Sequence, residues 1–330
     1  MFNEITGGVC APAGFKANAA WCGVKGKGPE KPDVALILSD QECAAAAVYT
    51  LNRVKAAPLY VTMEHLENGC AWGIVVNSGC ANACCPRSHE SAQAMCKAAA
   101  AATGREPEDF AVASTGVIGQ PLNIGAIEKG LPGVAAGLSE DGSGVTAEAI
   151  MTTDRSKKEI ALSLELGGRE VRLGAVAKGS CMIHPNMGTM LCFITTDCAI
   201  TSQLLEEALR EVAAKTFNRV VVDGDTSSND MCVALANGMA GNPLIEWKDE
   251  DYQKFFQALE AVCTHIARAI AADGVGSTKL VTCRVRGARS EEVAERLAKS
   301  VVSSDLIKAS LFACDPHWGR VMIAMGCSKA

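Results

Sequence analysis

The stretch that most constrains this chain runs from Val171 to Asp197. Val171 to Ala177 (VRLGAVA) alternates and is β-rich, which predicts a strand. Gly179, Ser180, Pro185, Asn186 and Gly188 follow, a run of turn formers. Met190 to Ile194 (MLCFI) is a continuous apolar run, short enough to be a fully buried strand. Thr189 therefore stands where a loop enters a core strand, and a hydroxyl held there is rigidly aimed. Gly188 before it lacks a Cβ, so its backbone tolerates strained φ/ψ and lets a group approach its carbonyl. On the residues alone, two readings stay open. In one, Thr189 is a β-favouring residue in a loop between core strands. In the other it attacks its own preceding carbonyl and the backbone breaks between Gly188 and Thr189. The freed α-amino group, which ordinarily titrates near pH ~8, then serves as general base beside the hydroxyl.

The remaining pattern mixes strands and helices throughout, as in an α/β (α+β) fold. Asp33–Leu38, Trp72–Asn77, Phe110–Ser114, Ile160–Leu166, Arg219–Val222 and Leu280–Arg286 read as strands. Gly167-Gly168 reads as a hairpin turn between Ile160–Leu166 and Val171–Ala177. Cys43–Tyr49 fits strand or helix equally. His89–Ala102 is helical and closed by Gly104 as a C-cap, and Leu204–Phe217 is amphipathic. Tyr252, Phe255, Phe256, Leu259, Val262, Cys263, Ile266 and Ile270 share one helical face. Ser290 caps a further helix whose first turn holds Glu291 and Glu292. Leu131–Gly144, rich in glycine, reads as a surface excursion. No linker marks a boundary; the division expected is a main domain over 1–240 and a smaller C-terminal domain over 241–330.

A net charge of −6 argues against a nucleic-acid or anionic-membrane partner. No apolar run approaches the ~18 residues of a membrane helix. No signal peptide is evident in the first fifteen residues, so a cytoplasmic location is expected. Sixteen cysteines, without any CxxC, fit small buried hydrophobes better than a disulfide scaffold or a metal site. Cys80, Cys84, Cys85 and Cys96 are the densest group.

Asp223, Asp225 and Asp230 crowd one turn. An EF-hand would need Gly at loop position 6 and Glu at position 12, where this chain has Ser228 and Ala234. The turn is expected to brace the surroundings of Thr189 and to hold no metal. Gly274–Lys279 lacks the P-loop pattern. Thr115-Gly116 closes a predicted strand; such a pair can be an ordinary exit, or can aim a hydroxyl and an N–H at a developing oxyanion. Lys178 at a strand end and Thr152 at a helix-to-loop junction would by themselves be solvated polar residues.

Lys178 to Asp197 (KGSCMIHPNMGTMLCFITTD) resembles the self-cleaving segment of the ornithine acetyltransferase family, the bifunctional glutamate N-acetyltransferases of arginine biosynthesis. Val48–Pro58 (VYTLNRVKAAP), Val76–Cys84 (VNSGCANAC), Ala113–Gly119 (ASTGVIG) and Ala149–Asp154 (AIMTTD) are similar to family blocks. So are Val222–Asp230 (VDGDTSSND), Asp273–Lys279 (DGVGSTK) and Asp315–Arg320 (DPHWGR), all in family order.

The resemblance implies an α/β sandwich of packed sheets flanked by helices, with a smaller C-terminal domain. It implies cleavage between Gly188 and Thr189 into an α chain (1–188) and a β chain (189–330), assembled as a heterotetramer of two α and two β chains. Thr189 would be the nucleophile, and Thr115 and Gly116 the oxyanion hole. Thr152, Lys178 and Thr189 would contact substrate. The implied reaction moves an acetyl group from N-acetylornithine to glutamate through an acetyl-threonine. No bound cofactor or metal is required, and some members also accept acetyl-CoA.

Several positions depart from the family. Val275 stands where the family has a substrate-facing glutamate. Gly188 replaces an alanine, Cys181 a glycine, and His184 is unusual. The family continues beyond its DPHWGR block with substrate-contacting residues, which cannot be assigned in this sequence. Two alternatives stay in view: a self-cleaving amidase or aminopeptidase of the same fold and nucleophile, with water as acceptor, and a degenerate non-catalytic homologue, which Val275 and the unassigned segment motivate.

Overall fold

Alternation along the strands sorts side chains onto two faces, and that sorting builds the molecule. The computed structural model describes residues 2–26, 31–184 and 190–330. Gly188 and Thr189, with the expected cleavage junction, lie outside the described residues. Among the described residues, nine strands form one continuous sheet: β1 (Phe2–Ile5), β2 (Phe15–Ala20), β3 (Val34–Tyr49), β4 (Cys70–Asn77), β5 (Phe110–Ser114), β6 (Lys158–Leu166), β7 (Arg169–Lys178), β8 (Leu191–Thr196) and β9 (Met231–Ala236). Their spatial order is β1-β6-β7-β8-β9-β3-β4-β5, with β2 also on β3.

The long strand β3 is the hinge of this sheet. Its first half pairs with β2 and β4, its second half with β9, and its register against β4 breaks between Leu38 and Cys43. The two halves of the sheet fold against each other across a shared core. Ile37, Ile74, Val76 and Ala111 from one half pack with Val176, Phe193 and Val233 from the other.

The opposite faces are covered by helices. Leu36, Val75 and Val112 meet α2 (Ser88–Thr103) and α3 (Ile124–Ala136) through Met95, Ala99, Ile127 and Leu131. Ala175, Cys192 and Ala234 meet α5 (Ser202–Lys215) and α6 (Glu250–Ala272) through Leu209, Phe255, Leu259 and Val262. The result is a four-layer αββα sandwich, the packed sheets flanked by helices that the family resemblance implied. The short helices α1 (Ala57–His65) and α4 (Ser143–Ala149) complete its edges. α7 (Glu291–Val302), α8 (Asp305–Phe312) and α9 (Gly319–Gly326) gather on a small separate cluster of Val301, Ile307 and Ala324. The large core extends past residue 240, because α6 packs on β6 and β7 and buries residues through Ile270.

Four expectations are resolved or corrected. Cys43–Tyr49 is strand, the second half of β3. Residues 131–144 are no surface excursion: α3 runs to Ala136, and Ile127, Leu131 and Val134 form its buried face. Gly130, Pro132 and Gly133 had masked that spacing. Arg219–Val222 is a 3-10 turn running into loop: Val222 joins no ladder among the described residues, its N–H donating to Ile183 O (2.7 Å) and its O accepting from Lys308 Nζ (2.9 Å), and then the acidic turn begins. Leu280–Arg286 is irregular, with no ladder partner among the described residues and with Leu280 and Val281 exposed.

All sixteen cysteines are free thiols; eight are buried, as expected of small hydrophobes, whereas five are half-buried and Cys84, Cys314 and Cys327 are exposed. Among the described residues no helix is long and apolar enough to cross a membrane.

Candidate active site

The ends of β4 and β5 are clamped before they reach the site. Asn77 donates to Ser114 Oγ (2.7 Å) and accepts from the N–H groups of Gly79 and Cys80 (3.1 and 3.0 Å). The Thr115 N–H donates to Asn77 O at 2.9 Å. Asn229, before β9, donates to Ala81 O (2.7 Å) and Ser114 O (2.9 Å), tying the two sheet halves together here. Gly116 has a φ of 131°, and a Cβ there would lie 2.9 Å from Cys80 N, so only glycine fits. Its N–H takes no partner among the described residues.

A cavity of about 440 Å³ opens at this point, lined by Thr115, Gly116, Thr152, Lys178, Cys181 and Asn229 among others. Lys178, the last residue of β7, is 2% exposed. Its ammonium donates to Thr152 Oγ1 (2.8 Å), lies 3.4 Å from Thr115 Oγ1, and stands 3.9 Å from Asp154 Oδ2. Burial pulls the Lys178 ammonium below its usual range, while Asp154, Cys181 and Asp230 oppose that fall. Asp154 is itself a hub. It accepts from Lys158 Nζ (2.8 Å), Gly179 N (2.7 Å) and Thr152 N (3.1 Å). Burial pushes its carboxyl up, but the charge of Lys178 and the bond and charge of Lys158 outweigh it and hold the group below the usual carboxylate range. Lys158 also reaches Asp273 at 2.6 Å.

The acidic turn braces the chain on both sides of the expected junction. Asp223 accepts from Met182 N (2.5 Å) and Ile183 N (2.9 Å), and Asp230 accepts from Met190 N (3.0 Å). The second oxygen of Asp230 is buried with no partner among the described residues, and burial raises this carboxyl well above its ordinary pKa. Bracing was the role expected of this turn.

Thr115, Gly116, Thr152 and Lys178, expected from separate blocks of sequence, thus line one cavity. Val275 does not join them. It is 58% exposed and borders a neighbouring cavity with Leu311 and Phe312, although its N–H donates to Ser180 O at 2.9 Å. Sequence reasoning missed Asp154, Asn229 and Asp273 as parts of the site. The signal for Asp154 was present, an acid inside the AIMTTD block with Lys158 four residues on.

A four-layer sandwich whose strand ends converge on a hydroxyl, a backbone N–H unpaired among the described residues and a buried ammonium defines an enzyme of the acyl-transfer type. The comparisons with known proteins narrow this class. The ArgJ family model matches residues 16–330. The chain is 50% identical over 327 residues to the arginine biosynthesis bifunctional protein ArgJ of Symbiobacterium thermophilum, covering 99% of this chain and 81% of that protein. The crystal structure of the Bacillus halodurans ArgJ protein is similar with a TM-score of 0.53 and 38% identity, over 56% of this chain and 97% of that one. The ornithine acetyltransferase of Mycobacterium tuberculosis, solved with ornithine, gives 0.51 and 35%, over 56% and 98%. This chain belongs to the ArgJ family.

Proposed function

We propose that this protein is a self-cleaving acyltransferase that moves an acetyl group from N-acetylornithine to glutamate. Membership of the ArgJ family makes it a bifunctional enzyme of arginine biosynthesis acting on small molecules. The observation that carries the reaction is the cluster of Lys178, Thr152, Thr115 and Gly116 at one cavity, with Leu191 of β8 in register beside Lys178.

Cleavage between Gly188 and Thr189 gives Thr189 a free α-amino group. That amine takes the hydroxyl proton as the oxygen attacks the acetyl carbonyl of N-acetylornithine. The oxyanion collects on Thr115 Oγ1 and the Gly116 N–H. Collapse passes the proton to the leaving nitrogen, and ornithine departs from acetyl-Thr189. The amine of glutamate then attacks the ester by the same route. Lys178, beside Thr152, receives a substrate carboxylate. The expected cut is supported by the solved relatives, each aligning over nearly all of its own length with 56% of this chain, about 185 residues. That length is close to the 188 residues from Met1 to Gly188.

No cofactor is needed in this scheme, and acetyl-CoA is a second acetyl donor to be assayed. The pieces stay joined, two pairs forming the heterotetramer implied by the family resemblance, in the cytoplasm. The test is to incubate the protein with N-acetylornithine and glutamate, measuring ornithine, N-acetylglutamate and free acetate. Mass spectrometry should find Met1–Gly188, Thr189–Ala330 and an acetylated form of the second piece. Thr189→Ala should remain one chain and transfer nothing. An uncut wild-type chain, or acetate without N-acetylglutamate, overturns the reading.

A further inference from the structure

We propose that Asp154 is a positioning residue that keeps Lys178 aimed into the cavity as a cation, and that Lys158 sets how much of the Asp154 charge Lys178 receives. This inference rests on the acyl-transfer reading above and extends it to residues that never touch substrate.

The geometry is a buried chain of alternating charge. Lys178 stands 3.9 Å from Asp154 Oδ2, Lys158 lies 2.8 Å from Asp154 Oδ1, and Asp273 lies 2.6 Å from Lys158. Asp273 is the C-cap residue of α6 and is held by Arg155 N at 3.0 Å. The side chains of Asp154, Lys158 and Lys178 are at most 2% exposed, so their mutual fields are weakly screened. The same carboxylate fixes position as well as charge. It accepts from Gly179 N, the residue after Lys178, and from Thr152 N, the residue whose hydroxyl accepts from the Lys178 ammonium. One carboxylate therefore sets the backbone on both sides of the Lys178–Thr152 hydrogen bond.

The groups facing Lys178 can be named from each packed element. Asp154 comes from the loop after α4, Lys158 from β6, Asp230 from the turn before β9, and Cys181 from the loop after β7. The Thr115 hydroxyl faces it from the end of β5. Asp154, Cys181 and Asp230 favour the ammonium, while burial and Lys158 disfavour it. Only Asp154 among the favouring groups is close enough to form an ion pair among the described residues.

Opposite shifts follow for two single substitutions. Asp154→Asn removes the anion, so Lys178 loses its proton at lower pH. Lys158→Met removes a competing cation and leaves Asp154 to Lys178, so the proton is held to higher pH. An opposite or like charge at this range moves a pKa by about 1–3 units. Because Lys178 grips a substrate carboxylate, the change should fall on kcat/KM, mostly through KM. The alkaline limb of kcat/KM should move down by about a unit or more in Asp154→Asn and up in Lys158→Met. Asp154→Glu should recover much of the wild-type limb. A role in folding alone moves stability but does not move the limb in opposite directions.

The experiment is the pH profile of N-acetylornithine turnover for the wild type and the three variants, with circular dichroism to check folding. Folded Asp154→Asn and Lys158→Met enzymes with the wild-type limb overturn the proposal. If Asp154→Asn does not fold, Lys158→Met decides: an upward shift supports the proposal and an unchanged limb overturns it. If the wild type transfers no acetyl group, the acyl-transfer reading fails separately. The same shifts are then read from the pH dependence of Lys178 labelling by an amine-acylating reagent, quantified by peptide mass spectrometry.

Discussion

Lys178, ending β7, and Leu191, beginning β8, are register partners on neighbouring antiparallel strands. In sequence they flank the Gly188–Thr189 junction. Cutting the chain there leaves the ladder between its two sides intact, six register pairs from Leu173↔Thr196 to Lys178↔Leu191. β9, in the second piece, also pairs with β3 of the first. A break there would therefore free a threonine without opening the sandwich.

The first prediction concerns cohesion. After cleavage the two pieces should co-elute on gel filtration and in native mass spectrometry, and should separate only in denaturant. Both cores draw on both pieces: Val176 packs with Phe193 and Val233, and Ala175 with Cys192 and Phe255. Separating them would expose most of that apolar surface, at roughly 25 cal/mol per Å². Pieces that part under native conditions would contradict the shared core.

The second prediction concerns Thr115. Its N–H is tied to Asn77 and its hydroxyl faces Lys178 Nζ at 3.4 Å, so the side chain can be removed without disturbing the clamp. Thr115→Ala should lower kcat by about 10²–10³ while leaving the unfolding temperature close to that of the wild type. Self-cleavage should also slow, since it too passes through an oxyanion. Wild-type turnover in a folded Thr115→Ala enzyme would remove Thr115 from the oxyanion hole.

How much of this was legible in the sequence depends on distance along the chain. The hairpin at Gly167-Gly168, the β5 strand and the α6 stripe announced themselves because their patterns are local. The Thr115-Gly116 pair and Lys178 were legible at strand ends, and their roles came from family resemblance. The Asp154–Lys158–Asp273 network was not legible. Its partners lie up to 115 residues apart, and nothing in a single sequence marks Asp273 as the counter-ion of Lys158. α3 was hidden because the segment's glycines read as loop, whereas burial of Ile127, Leu131 and Val134 overrides propensity. Leu280–Arg286 has the strand pattern, but a strand also needs a partner.

The third prediction concerns Val275. The family resemblance puts a substrate-facing glutamate at this position. A carboxylate paired with a substrate ammonium contributes roughly 1.5–3 kcal/mol, which corresponds to about ten- to a hundredfold in kcat/KM. Val275 is more than half exposed, so a longer side chain meets no wall. Its N–H bond to Ser180 holds the loop beside Cys181 and does not depend on the side chain. Val275→Glu should raise kcat/KM for N-acetylornithine, measured by steady-state kinetics against glutamate as acceptor. An unimproved variant would mean that the ammonium is recognised elsewhere, in keeping with the neighbouring cavity that Val275 now borders.

The last prediction concerns acid stability and Asp273. Burial raises this carboxyl, but the hydrogen bond and charge of Lys158, with the N–H groups of Arg155 and Ser156, outweigh burial and hold its pKa below the ordinary 3.8. A carboxylate whose pKa is lower folded than unfolded contributes stability above the unfolded value. That contribution is lost as pH falls through the folded value. Asp273→Asn keeps the shape and removes the charge-assisted bond at 2.6 Å to Lys158, which retains Asp154. The variant should be less stable than the wild type by about 1.5–3 kcal/mol at pH 7, read from urea unfolding. Below its lowered folded pKa the wild type protonates Asp273 and becomes chemically similar to the variant. The gap should therefore narrow as pH falls below the ordinary 3.8 and close as it passes through the lower folded pKa. A gap that stays constant down to the acid transition would mean that Asp273 stabilises the C-terminus of α6 through its shape and backbone contacts, with no net gain from its charge.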